Sequence, residues 1–148
     1  MYANHLPYTL SLMSNGIFMG LGLTMNLVNV PCIKASSDPL PVFTTTYNNA
    51  SKFAITNILM ASLSHLYISY RTGSARALLC GALTLINIPY TLLFIKPTND
   101  ALFRLHRAGT KGNDKAILPL INKWNSRQWV RTILGTAAFL LNIDQYTR

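Results

Sequence analysis

From Tyr8 to Val30 the chain carries no charged side chain, and the run stops at Pro31. At about 1.5 Å per helical residue, such a stretch covers the roughly 30 Å of a bilayer's hydrocarbon core. Hydrocarbon offers no partner to a bare N–H or C=O, so a segment of this kind crosses as a helix. Three more apolar stretches follow, at about 53–70, 76–95 and 129–145. The expectation is an all-α, integral membrane, antiparallel four-helix bundle in a single domain, 1–148, with a short interfacial helix before the last span. Charge is scarce in the same sense, at 11% of residues against about a quarter in a soluble domain.

The links between spans set the expected orientation. Lys34–Asn49 is polar and proline-rich and reads as an ordered loop, and its Asn49-Ala50-Ser51 acceptor pattern stays unmodified on the cytosolic side. Arg71 to Ser74 makes a tight turn. In the connection from Lys96 to Lys123, Asn99 caps a short amphipathic helix with Arg104 and Arg107, and Ala116–Asn125 lies along the membrane surface. Of thirteen basic residues, eight fall between Lys96 and Arg131, and Lys34 and Lys52 flank the first loop. The excess places these two connections in the cytosol and both termini in the lumen or outside, in the endoplasmic reticulum or a related endomembrane. An anionic leaflet is therefore the expected partner of the basic charge, and nucleic acid is not. The first helix, with no basic leader or small-residue cleavage site, stays in the mature protein. Cys32 and Cys80 fall near opposite faces and are free thiols.

Each span carries a polar or small stripe at helical spacing. In the first it is Asn15, Met19, Gly22, Asn26 and Asn29, with Gly16 and Gly20 as a small pair suited to close helix approach or a homodimer. In the second it is Asn57, Ala61, Ser64 and His65, with Ile68 on the same side, and in the third Cys80, Thr84, Asn87 and Thr91, with Pro89 kinking the helix near residue 85. In the fourth it is Trp124, Gln128, Arg131, Gly135, Ala138 and Asn142, with the two tryptophans, Trp124 and Trp129, at the water boundary. Four such faces turned inward enclose a site instead of a dry leucine core. Its candidate catalytic residues are His65 as general base, Arg131 as the charge that stabilises an enolate or phenolate oxygen, and Asn57 and Asn87 as amide donors. Asn26, Tyr67, Tyr90, Trp124 and Gln128 are the candidate substrate-binding residues. His5, His65 and His106 are scattered, so no metal site is expected, and no phosphate loop or Ser-His-Asp pattern occurs.

Three stretches carry a family likeness: Asn87-Ile88-Pro89-Tyr90-Thr91, then Pro97-Thr98-Asn99-Asp100-Ala101-Leu102, then Trp124 to Arg131. Together they resemble the anthrone oxygenase-like membrane family, with Gln128 where the motif has asparagine. The resemblance implies oxidation of an anthrone to an anthraquinone in polyketide secondary metabolism, with molecular oxygen as co-substrate and no flavin or haem. An apolar aromatic substrate reaching the site from the bilayer fits that chemistry. Two other readings stay open: a cyclisation or isomerisation on the same scaffold, and a non-catalytic organiser that anchors biosynthetic enzymes through the basic connection.

Overall fold

The computed structural model describes residues 5–110 and 115–147, and every regular element among them is a helix. Four long helices follow one another: α1 (Leu6–Ala35), α2 (Pro39–Thr72), α3 (Ala75–Arg107) and α4 (Ile117–Thr147). Each packs on its neighbours in the chain and α4 closes against α1, so the four form an up-down-up-down bundle. The α2–α3 turn is closed by Gly73 at φ +69°, whose N–H bonds Ser69 O at 2.8 Å, and by Ser74, which caps α3 by accepting from Ala77 N–H. Both α1 and α3 are long and apolar enough to cross a membrane.

Several expected boundaries move, and each for a local reason. Pro31 does not end α1. Val30 N–H reaches back five residues to Met25 O, and this wider turn over Met25–Asn29 makes room for the proline ring before the helix resumes through Ala35. α3 repeats the device, with Lys96 N–H bonded to Thr91 O ahead of Pro97. The separate interfacial helix is thereby corrected: 96–107 continues α3, and Asn99 lies buried inside it instead of capping it. The break expected at Pro89 is present at Ile86, where the Asn87 amide donates to Leu83 O and Thr84 O, both at 3.0 Å.

The ordered loop expected over Lys34–Asn49 shrinks to residues 36–38, because α2 begins at Pro39. Pro39 and Pro41 occupy first-turn positions where a missing N–H costs nothing, and Leu40 and Phe43 bury into the core. Ala116–Asn125 does not lie along a surface. Ile117, Ile121 and Trp124 recur at helical spacing and face inward as the opening turns of α4, with Trp124 buried.

The interior changes character along the bundle axis. Where the C-terminal parts of α1 and α3 meet the N-terminal parts of α2 and α4, the core is Ile33, Leu40, Phe43, Leu102, Ile121 and Trp124. Toward the other end the buried residues include the polar Ser11, Asn15, Ser64, His65, Thr84 and Asn142 and the small Ala61, Ala77, Cys80 and Ala138, while Met13, Leu63, Leu79 and Leu140 are exposed. Small residues let α1 and α4 approach here. A Cβ on Gly22 would lie 2.8 Å from Thr132 Oγ1, and one on Gly135 would lie 2.8 Å from the Phe18 ring.

Candidate active site

A pocket opens at the level where these two interiors meet. It has two lobes that share part of their lining. The first lies against α1 and α4, between Phe18, Gly22, Met25, Trp124 and Gln128, and the second against α3, between Asn87, Ile88, Thr91 and Leu92. Tyr47, Ser51, Ala54 and Arg131 line both. Tyr47, Ser51 and Ala54 sit at i, i+4 and i+7, one face of α2. Trp124, Gln128 and Arg131 have the same spacing on α4.

Arg131 is 8% exposed and makes no ion pair among the described residues. Its Nη1 donates to Gln128 Oε1 at a long 3.3 Å, and the guanidinium lies over the Phe18 ring, 5.6 Å from the centroid. Its buried Nε has no acceptor, and neither does the buried Nε1 of Trp124. Two residues that line the first lobe therefore each carry a buried N–H donor without an acceptor. An uncompensated buried cation costs several kcal/mol, which an electron-rich oxygen placed against it offsets. In the second lobe the buried Oδ1 of Asn87 also lacks a partner.

The pocket thus brings together Arg131, Asn87, Trp124 and Gln128 from the sequence-derived set. His65 lies elsewhere, fully buried, with Nε2 2.9 Å from Asn15 Nδ2 and with Thr84 Oγ1 3.1 Å from Asn15 Oδ1. This network ties α1, α2 and α3 together below the pocket. Asn57 is buried and donates to Phe53 O within its own helix. Asn26 accepts from Thr132 Oγ1 at 2.6 Å and donates to Asn125 Oδ1 at 2.8 Å, joining α1 to α4. Tyr90 donates to Arg127 O, and Arg127 in turn holds Phe94 O and Thr98 Oγ1. Tyr67 is half exposed and borders a different cleft, beside Tyr8 and Arg71. Of the small pair on α1, Gly16 receives the Phe139 ring of the same chain, and nothing lies within 4 Å of Gly20.

Tyr47, Ser51 and Ala54 were absent from the set read from sequence. Their i, i+4, i+7 spacing was the available signal, obscured by the prolines and β-branched residues just before them. Both cysteines are free, Cys32 exposed and Cys80 buried. Among the described residues no cluster of three or more His, Cys, Asp or Glu has the arrangement to hold a metal ion.

Residues 43–141, which include every α2, α3 and α4 residue of the pocket, match the anthrone oxygenase family. The chain belongs to this family. Its relatives include the anthrone oxygenase tpcL of Aspergillus fumigatus, 27% identical over 139 residues that cover 90% of this chain and 86% of the relative. The anthrone oxygenase gedH of Aspergillus terreus is 28% identical over 120 residues, 78% of this chain and 77% of its own. An anthrone oxygenase of Claviceps purpurea is 27% identical over 145 residues, 87% of this chain and 82% of its own. No solved structure matches the chain.

Proposed function

We propose that this protein is an integral membrane oxygenase that converts an anthrone-type aromatic polyketide to the corresponding anthraquinone with molecular oxygen. The observation that carries the reading is the buried, unpaired Arg131 guanidinium, set beside the free Trp124 N–H on an apolar pocket. An anthrone is a flat ketone whose methylene protons are acidic because the resulting anion is aromatic and places its charge on oxygen. Donors fixed at that oxygen stabilise the anion, and so the transition state leading to it.

The chemistry then balances without further reactants. Loss of one methylene proton gives the enolate, with its oxygen against Arg131 and Trp124. The anion passes electrons to O2 and a C–O bond forms, and the peroxide oxygen takes back one proton to give a hydroperoxide. Loss of the second proton with cleavage of the O–O bond gives the new carbonyl and water, so one oxygen atom is retained. No organic cofactor takes part in this reading. His65 lines neither lobe, and we assign it to holding the helices together through Asn15. The exposed apolar belt of the far half sits in lipid and delivers the substrate, and the basic end faces the cytosol.

The test is oxygen uptake by the purified protein in detergent with a simple anthrone and ¹⁸O₂, run against a control without protein because anthrones oxidise spontaneously. Uptake above the control, with one labelled oxygen atom in the product, is the expected result. No rate above the control from folded protein, across several anthrones, assigns the pocket to another reaction on the same scaffold.

A further inference from the structure

The chain has five methionines, and of the four that the structure describes only Met25 lines the pocket. It stands on the wall of the first lobe with Trp124 and Arg131 and is 4% exposed, whereas Met13 is 58% and Met60 39% exposed. Its sulfur is placed by its own helix: Asn29 Nδ2 donates to Sδ at 3.6 Å across the wide turn over Met25–Asn29. A thioether is a weak acceptor, and this one contact leaves a sulfur lone pair available. An oxidant arriving from bulk would reach Met13 and Met60 first and Met25 last. An oxidant held in the pocket reverses that order.

We propose that Met25 is a modification site of the reaction itself: a hydroperoxide held in the pocket hands its outer oxygen to the Met25 sulfur, and the sulfoxide closes the first lobe. This rests on the reading of the pocket as the place where an anthrone is oxidised, since that reaction passes through a hydroperoxide on the substrate carbon. The sulfur lone pair attacks the outer oxygen, the O–O bond breaks, and the hydroperoxide proton ends on the inner oxygen. Sulfur loses two electrons and the peroxide gains them, so the substrate leaves as an alcohol and Met25 stays behind as the sulfoxide. The step competes with the loss of water that gives the carbonyl. It turns a flexible apolar side chain into a polar one on an apolar wall, and so removes a site each time it occurs.

The experiment maps sulfoxides by peptide mass on the full chain in detergent, under two oxidants. With an anthrone and O2, and catalase present to remove stray hydrogen peroxide, Met25 is expected to gain oxygen ahead of Met13 and Met60. Cumene hydroperoxide, an aromatic hydroperoxide supplied without anthrone, is expected to give the same order. Xanthone, a ketone with no methylene to oxidise, is expected to abolish oxidation of Met25 and leave that of Met13 unchanged. After cumene hydroperoxide the parent is expected to lose xanthone binding, whereas Met25→Leu, a volume-conserving swap, keeps the binding it had before treatment. Oxidation in the order of exposure, no protection by xanthone, or equal loss of xanthone binding in parent and variant overturns the proposal, as does anthrone turnover that leaves Met25 intact. The oxygenase reading fails separately: Met25 oxidation by cumene hydroperoxide, blocked by xanthone, in protein that turns over no anthrone leaves the modification standing and removes the reaction.

Discussion

At its basic end the bundle buries aliphatic and aromatic side chains, and at its far end it buries mostly polar and small ones. Around Phe43 and Trp124 the interior is aliphatic and aromatic, and Lys34, Lys96, Arg104 and Lys123 face outward. Around Asn15 and His65 the interior is polar and small, and leucine, methionine and isoleucine cover the outside. Each half is held by a different force. In the first, apolar area leaves water on folding. In the second, the apolar side chains face outward, and the helices associate through close backbone approach and hydrogen bonds. The pocket lies at the junction, where an apolar cavity and buried polar donors can coexist.

The largest expected effect tests the basic half. Phe43 is 1% exposed, and its ring lies 5.3 Å from that of Trp124 and 5.9 Å from those of Tyr47 and Phe103. Phe43→Ala is expected to cost about 3–5 kcal/mol, read from the unfolding midpoint in mixed detergent. Leu63, 65% exposed in the far half, is the counterpart. Leu63→Ala is expected to change stability by no more than about 0.5 kcal/mol, as at an ordinary outward-facing site. Similar losses at both positions would break the contrast between the two halves.

At the junction, Arg131→Leu separates chemistry from stability. Turnover of an anthrone is expected to fall by about 10²–10³, the effect of removing one oxyanion donor, or roughly 2.7–4 kcal/mol in the barrier. Stability is expected to hold or rise, because the variant no longer buries an unpaired charge. Oxygen uptake and a thermal midpoint on the same preparation decide it. Unchanged turnover removes Arg131 from the site.

The far half was the more legible in sequence. Its spans contain few charged residues and their stripes of Asn, Ser and Thr keep a helical period, so the polar interior could be read from the residues alone. The basic half was harder, because prolines that normally end helices lie inside or at the start of them. Pro31 and Pro97 follow wider turns, and Pro39, Pro41 and Pro119 fall within first turns. Local punctuation was overridden there by burial of Leu40, Phe43, Ile117 and Ile121. The α2 side of the pocket wall was hidden for the same reason: Tyr47 and Ser51 lie in or just after the stretch read as a loop. Arg131, Trp124 and Gln128 were visible because a charge on an apolar helix stands out. His65 stood out too, yet packing sends it to the Asn15–Thr84 network, a destination that spacing along one helix does not contain.

That network gives a smaller expected effect. Asn15→Ala and His65→Ala are each expected to cost about 0.6–2 kcal/mol, the range for interhelical hydrogen bonds in membranes. Because the two side chains bond one another, the double variant is expected to lose less than the sum of the singles, which a double-mutant cycle measures. Anthrone turnover, measured on folded protein, is expected to stay near that of the parent in both. A fall in His65→Ala as deep as that in Arg131→Leu would place proton removal at His65 and require a path from it to the pocket.

The finest comparison is between two glycines one turn apart on α1. A Cβ at Gly16 would stand 3.1 Å from the Phe139 ring edge, whereas nothing lies within 4 Å of Gly20. Gly16→Ala therefore sets a gain in helix propensity against a shift of Phe139, and its net effect is expected to be small. Gly20→Ala meets no such resistance within the chain and is expected to stabilise by up to about 1 kcal/mol, the glycine-to-alanine difference inside a helix. A second copy seated on the Gly20 face would reverse that sign, since the added methyl would hold the two backbones apart. Measuring the mass of the protein in detergent alongside its stability separates the cases. A gain in stability with unchanged mass leaves Gly20 outside any homodimer contact, whereas a loss accompanied by dissociation identifies this face of α1 as one.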